Sequence, residues 1–106
     1  MFARTVSLHL KPNSVAEFAQ TIEKDIIPLL RKQPGFQDEM VFVVPGGTEA
    51  VSISVLDQQA NAEAYARGTY PHVLQAVANV VEGTPQVDTY EVSNSTFHKI
   101  VPRVAA

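Results

Sequence analysis

The chain has 106 residues, 45% of them hydrophobic and 18% charged, with a formal charge of −3, which suits one ordinary globular domain over residues 1–106 and excludes a disordered chain. No run of Lys or Arg is available to track a phosphate backbone, so nucleic acid is not an expected partner. With no cysteine, disulfides, thiolate metal sites, iron–sulfur clusters and a thiol nucleophile are all excluded.

Residues 2–10 alternate, with Val6, Leu8 and Leu10 on one side and Thr5, Ser7 and His9 on the other, the period of a half-buried strand. The stretch contains neither the basic start of a signal peptide nor a long apolar core. Nowhere does the chain approach the roughly 18 apolar residues of a spanning helix. A cytoplasmic protein without membrane contact is therefore expected.

Ser14 with Glu17 three residues on predicts a capping box. Val15, Phe18, Ala19, Ile22, Ile26 and Leu29 or Leu30 continue it as one apolar stripe, with Pro28 predicted to kink the helix near its last turn. Residues 36–44 form the second strand. Its end, from Met40 to Val44, is apolar at every position, so both faces call for burial.

After the turn at Pro45, Gly46 and Gly47, residues 50–56 pair back as a hairpin. Here Val51, Ile53 and Val55 are predicted to face the core, leaving Ser52 and Ser54 on the other side. Asp57 is placed to cap a helix over residues 58–67, and Thr69 a second one with Pro71 in its first turn and Gly83 as its stop. A long final strand is expected over residues 86–98, and residues 101–106 are expected to be a loose tail.

The order β-α-β-β-α-β predicts an α+β, ferredoxin-like sandwich: a four-stranded antiparallel sheet with its helices on one face. Two helices cover only one face of such a sheet. The second apolar side of residues 40–44 then predicts a homodimer formed through the open sheet face, since burying each large side chain is worth about 1.5–3 kcal/mol. Shielding of that face by the chain's own final strand or tail is the alternative.

The segment from Ile27 through Pro34, Gly35 and Phe36, and the passage Ser52-Ile53-Ser54-Val55-Leu56-Asp57 followed by Ala62-Glu63-Ala64-Tyr65, resemble the helix exit and the strand-to-helix junction of the antibiotic biosynthesis monooxygenase superfamily. With the element order, the resemblance spans nearly the whole chain. It implies a dimeric α/β barrel with a ligand cleft between helices and sheet. The superfamily includes cofactor-independent quinone-forming monooxygenases, haem-degrading enzymes and members without established activity, so the resemblance implies fold and dimer more firmly than a reaction.

His72, beside Tyr65 and Tyr70, is the candidate catalytic set. A neutral imidazole with a pKa near about 6.5 can accept a proton from a ring hydroxyl, and the tyrosines can hold the resulting oxyanion. The competing reading makes His72 a surface residue at a helix start and the tyrosines packing residues with wet hydroxyls. The haem-degrading branch carries a proximal His where His72 falls, but also a strand-one Asn and a Trp near the end of strand three. This chain has no Trp, no Asn on its first strand, and Leu56 at the Trp position. No cofactor is assigned.

His9, His72 and His98 lack metal-ligand spacing, so no metal site is expected either. Asp38 and Glu39 read as the solvated end of a strand, His9 as an interfacial hydrogen-bonding residue and His98 as exposed. Asn94, Ser95 and Thr96 suit the rim of a dimer. The expected function is binding of a small apolar or aromatic molecule, with cofactor-independent monooxygenation of a quinol- or anthrone-like substrate as the leading reading. A non-catalytic ligand-binding or stress-associated protein, or a subunit whose exposed edge recruits another protein, are the alternatives.

Overall fold

A computed structural model describes residues 1–100; the expected loose tail, residues 101–106, lies outside the described residues. The strands are β1 (Phe2–Leu10), β2 (Phe36–Val43), β3 (Glu49–Leu56) and β4 (Val81–Glu91). They form one antiparallel sheet in the order β2-β3-β1-β4, the ferredoxin-like arrangement. The helices are α1 (Val15–Thr21), α2 (Ile27–Arg31), α3 (Gln59–Gly68) and α4 (Tyr70–Val77), and a π-helical turn, Ile22–Ile26, joins α1 to α2.

That turn replaces the predicted kink. Pro28 has no N–H, and its ring crowds the carbonyl four residues back. The helix widens just before it, with Ile27 N–H donating to Ile22 O, and then resumes with Pro28 in the first turn of α2. A π-turn absorbs one extra residue without ending a helix. The capping box does not form: Asn13 takes a left-handed φ of 61°, and the Ser14 hydroxyl turns back to Pro12 O at 3.5 Å.

The N-cap of α3 is Gln58, without a side-chain cap bond, and not Asp57; the Asp57 carboxylate accepts from Asn61 Nδ2 at 2.7 Å. Thr69 makes no cap bond to α4; its hydroxyl donates to Gln33 Oε1 at 2.9 Å, tying the α3–α4 junction to the end of α2. Gly83 lies inside β4 at φ 70°, not at a helix end. There β4 bulges, with Ser7 opposite Gln86 but His9 opposite Glu82. Gly83 supplies the positive φ and Pro85 needs no ladder donor.

β4 therefore starts earlier than expected and stops at Glu91. Asn94, Ser95 and Thr96 fall beyond it, where Ser95 Oγ accepts from the backbone N–H groups of Phe97 and His98 at 3.0 Å.

The even-numbered side of β1 faces the helices: Val6, Leu8 and Leu10 join Phe18, Ile22, Ile26, Leu30, Tyr65 and Val77 in the core. Register then fixes β3. Ser52 lies opposite Val6 and Ser54 opposite Arg4, so the serines face the helices together with buried Ala50 and Leu56. Val51, Ile53 and Val55 face the open side. This reverses the expected facing of β3, because the apolar residues at its ends, Ala50 and Leu56, share the serines' parity and set which side is inward.

The open face therefore carries Val51, Ile53 and Val55 beside Met40 and Phe42, and Phe42 is 52% exposed. His98 is half-buried, 3.6 Å from Asp38 Oδ2, so residues 92–100 run from the β4 edge across one end of this face toward β2. His9, also on the open face, meets Glu49 Oε1 of its own chain at 2.8 Å.

Gly35, just before β2, takes a φ of 75°, and its carbonyl accepts the Asp57 N–H at 2.9 Å. A β-carbon there would overlap Asp57 Oδ1 and Asn61 Nδ2. Gly35→Ala is expected to cost about 1–3 kcal/mol from backbone strain and overlap, lowering the midpoint of a thermal melt by several degrees.

Candidate ligand cleft

Between helices and sheet lies a cleft walled by Val6, Leu8, Ile22, Ile26, Leu74 and Val77, with Glu39, Ser52, Ser54, Tyr65 and Tyr70 as its polar groups. Its open volume is about 30 Å³ within about 410 Å³ of loosely filled space that reaches solvent. That holds a water or two; a ring system needs the walls to move apart.

The polar groups arise from strand pairing. Glu39 on β2 lies opposite Ser54 on β3, Ser54 opposite Arg4 on β1, and Arg4 opposite Thr89 on β4. One row across the helix-covered face thus reads carboxylate, hydroxyl, guanidinium, hydroxyl. The next row along carries Val41, Ser52, Val6 and Val87.

Glu39 accepts from Ser52 Oγ at 2.5 Å through one carboxylate oxygen and from Ser54 Oγ through the other. It is thus no solvated strand end. The bulge at Gln37 shifts the β2 register between Phe36 and Asp38, leaving Asp38 on the open side and Glu39 over the cleft. Burial pushes the Glu39 carboxyl above its ordinary 4.5, and the charge of Asp38 adds to this; the serine hydroxyls pull the other way without cancelling it.

Tyr65, from α3, is 3% exposed. Burial raises its phenol pKa, and the nearby Glu39 carboxylate raises it further against the opposing charge of Arg4, so it serves as a hydrogen-bond donor at neutral pH. Tyr70, the first residue of α4, sits with its ring centroid 6.3 Å from that of Tyr65. The Arg4 guanidinium carbon is 3.8 Å from the Tyr70 centroid and 5.6 Å from that of Tyr65, within cation–π range of both.

The structure brings together Tyr65 and Tyr70 of the three expected site residues. His72 is exposed and is not among the cleft-lining residues; its backbone N–H donates to Thr69 O at 2.9 Å. Among the described residues no cluster of three or more His, Asp or Glu is placed to hold a metal ion, and no helix is long and apolar enough to cross a membrane.

No protein-family model matches the sequence, and no curated protein matches it. Solved structures do match. The chain superposes on a monooxygenase from the ActVA-Orf6 gene of Streptomyces coelicolor, solved with nanaomycin D, at a TM-score of 0.74 and 15% identity over 96% of this chain and 92% of that one. The chain has the antibiotic biosynthesis monooxygenase fold. SnoaB, a cofactor-independent oxygenase from Streptomyces nogalater, matches at 0.70 and 14% identity over 90% and 95% of the two chains. NE2512, a Nitrosomonas europaea protein of unknown function, matches at 0.72 and 21% identity over 90% and 91%. These identities carry the fold alone; the chemistry has to be argued from the cleft.

Proposed function

We propose that the chain is a small-molecule-binding protein that acts as a cofactor-independent monooxygenase on an aromatic substrate with an ionisable hydroxyl, working as a homodimer closed through the open sheet faces. The observation that carries this reading is a carboxylate of raised pKa, held by two serines and flanked by two tyrosines, inside an otherwise apolar cleft. Glu39, its carboxyl raised by burial, takes the proton of the ring hydroxyl or its activated methylene; a positioned general base contributes about 10²–10⁴-fold. Tyr65, the tyrosine close enough to Glu39 to feel its charge, donates a hydrogen bond to the oxyanion that forms.

The electron-rich ring then reduces dioxygen directly. An anthrone methylene plus one O₂ gives the quinone carbonyl plus one water, so no further reductant is needed. The fold shared with an oxygenase described as cofactor-independent supports this choice. A second reading, ligand binding without turnover in a stress-associated or carrier role, is favoured by the small open volume of the cleft.

Oxygen uptake by metal-free protein against a panel of anthrones, quinols and catechols separates the two. Turnover above the uncatalysed rate, with one O₂ consumed per quinone formed and at least about tenfold lower in Tyr65→Phe with Tyr70→Phe, supports the enzyme. Saturable binding without uptake supports the carrier. His72→Ala in the same assay is expected to stay within about twofold of wild type, as for an exposed residue away from the cleft.

A further inference from the structure

Arg4 shares the buried side of β1 with Val6, Leu8 and Leu10, which follow it along the strand, and it is only 7% exposed. Its Nη1 is sealed from solvent and has no hydrogen-bond partner; the same holds for Tyr70 Oη. The two lie side by side, since the guanidinium is stacked on the Tyr70 ring; burial raises the Tyr70 phenol above its ordinary value, and the guanidinium opposes this without cancelling it. A buried cation with an unfilled donor is costly and seldom left so. Tyr70 lines the cleft, whereas Arg4, stacked on its ring, lines a neighbouring hollow with Gln59, Ala62 and Thr89; the two donors lack a common acceptor.

We propose that Arg4 and Tyr70 form a seat for one anionic oxygen of the ligand, so that the cleft selects aromatic molecules bearing an acidic oxygen, a carboxylate or a phenolate, over neutral ones. This rests on the ligand-cleft reading above but not on turnover. Glu39 stands across the row from Arg4, one strand beyond Ser54. A ligand spanning the two places its acidic oxygen at the cation and its reacting hydroxyl toward the carboxylate. The reverse orientation would set two negative groups together and lose a charge-assisted hydrogen bond.

Isothermal titration calorimetry with naphthoate, naphthol and the neutral naphthamide tests the seat on the full chain. Wild type is expected to bind naphthoate at least about tenfold more tightly than naphthamide. Arg4→Gln is expected to bring the two within about twofold, through a fall in naphthoate affinity.

Tyr70→Phe, which removes one donor and keeps the packing, is expected to lose several-fold in naphthoate affinity and keeps the test available should Arg4→Gln fail to fold. A pH-independent preference for naphthoate assigns the seat to carboxylates; naphthol affinity that climbs as naphthol ionises, in wild type but not in Arg4→Gln, assigns it to phenolates. Equal affinities for acid and amide with no such climb, uniform weakening of all three ligands by Arg4→Gln, or no binding of any of them, overturns the proposal. A seat that passes while no substrate drives oxygen uptake stands, and the monooxygenase reading falls.

Discussion

Glu39→Gln is expected to cut substrate-driven oxygen uptake at least about a hundredfold while leaving the protein as stable as wild type, or more stable, at neutral pH. The amide keeps the shape and can still pair with Ser52 and Ser54, whose hydroxyls meet the carboxylate oxygens, but it cannot take a proton. Stability follows from linkage. The native carboxyl holds its proton at a pH where the unfolded chain, near 4.5, has already lost it. Stability contributed by Glu39 is therefore present at low pH and declines as pH rises from the unfolded value through the native one. Removing the charge removes that decline. In wild type, kcat/KM should rise with pH through an inflexion above the ordinary glutamate range, the free-enzyme base losing its proton. Paired pH–rate and pH–melting profiles check both halves, and an uptake rate unchanged in Glu39→Gln would exclude Glu39 as the base.

Phe42→Asp is expected to convert a dimer into a folded monomer. β3 turns its serines inward and its valines and isoleucine outward, beside Met40 and Phe42. In the isolated domain Val55 is already buried but Met40 and Phe42 stay exposed, and two sheets closed face to face bury them. By symmetry each copy loses one large apolar contact, about 1.5–3 kcal/mol apiece, so the dimer should weaken by about two orders of magnitude or more. Light scattering coupled to gel filtration reads the mass directly. A wild-type monomer at high protein concentration would instead make residues 92–100, which already cross one end of the face to bring His98 to Asp38, the principal cover.

The first three strands, the ferredoxin-like arrangement and the helix-covered side of β1 were legible because period-two alternation and the turn residues agree there, whereas the last strand was expected over 86–98 and runs from Val81 to Glu91. The facing of β3 was not legible, since its apolar residues form the outward side. The parity of Ala50 and Leu56 carried the signal, and it becomes decisive only with the β1 register. Glu39 was hidden for the same reason: adjacent acids on a strand apolar on both sides force one carboxylate inward, but a bulge at Gln37 selects which. Arg4 was open to discovery, as it shares the parity of Val6, Leu8 and Leu10, yet a cation at a chain start reads as exposed. Tyr65 and Tyr70 were singled out as neighbours of His72, and both line the cleft. His72 illustrates the limit of sequence proximity, because two residues along a helix turn a side chain to the opposite face from Tyr70.

Amide chemical-shift mapping with hydroxynaphthoate tests the ligand cleft most directly. Saturable shifts are predicted at Ser52, Ser54, Tyr65, Tyr70 and the π-helical turn Ile22–Ile26, with the carboxyl carbon of Glu39 moving in the same titration. Shifts confined to Phe42, Tyr90 and the rest of the open sheet face, or no shifts at saturating ligand, would contradict a binding site between the helices and the sheet.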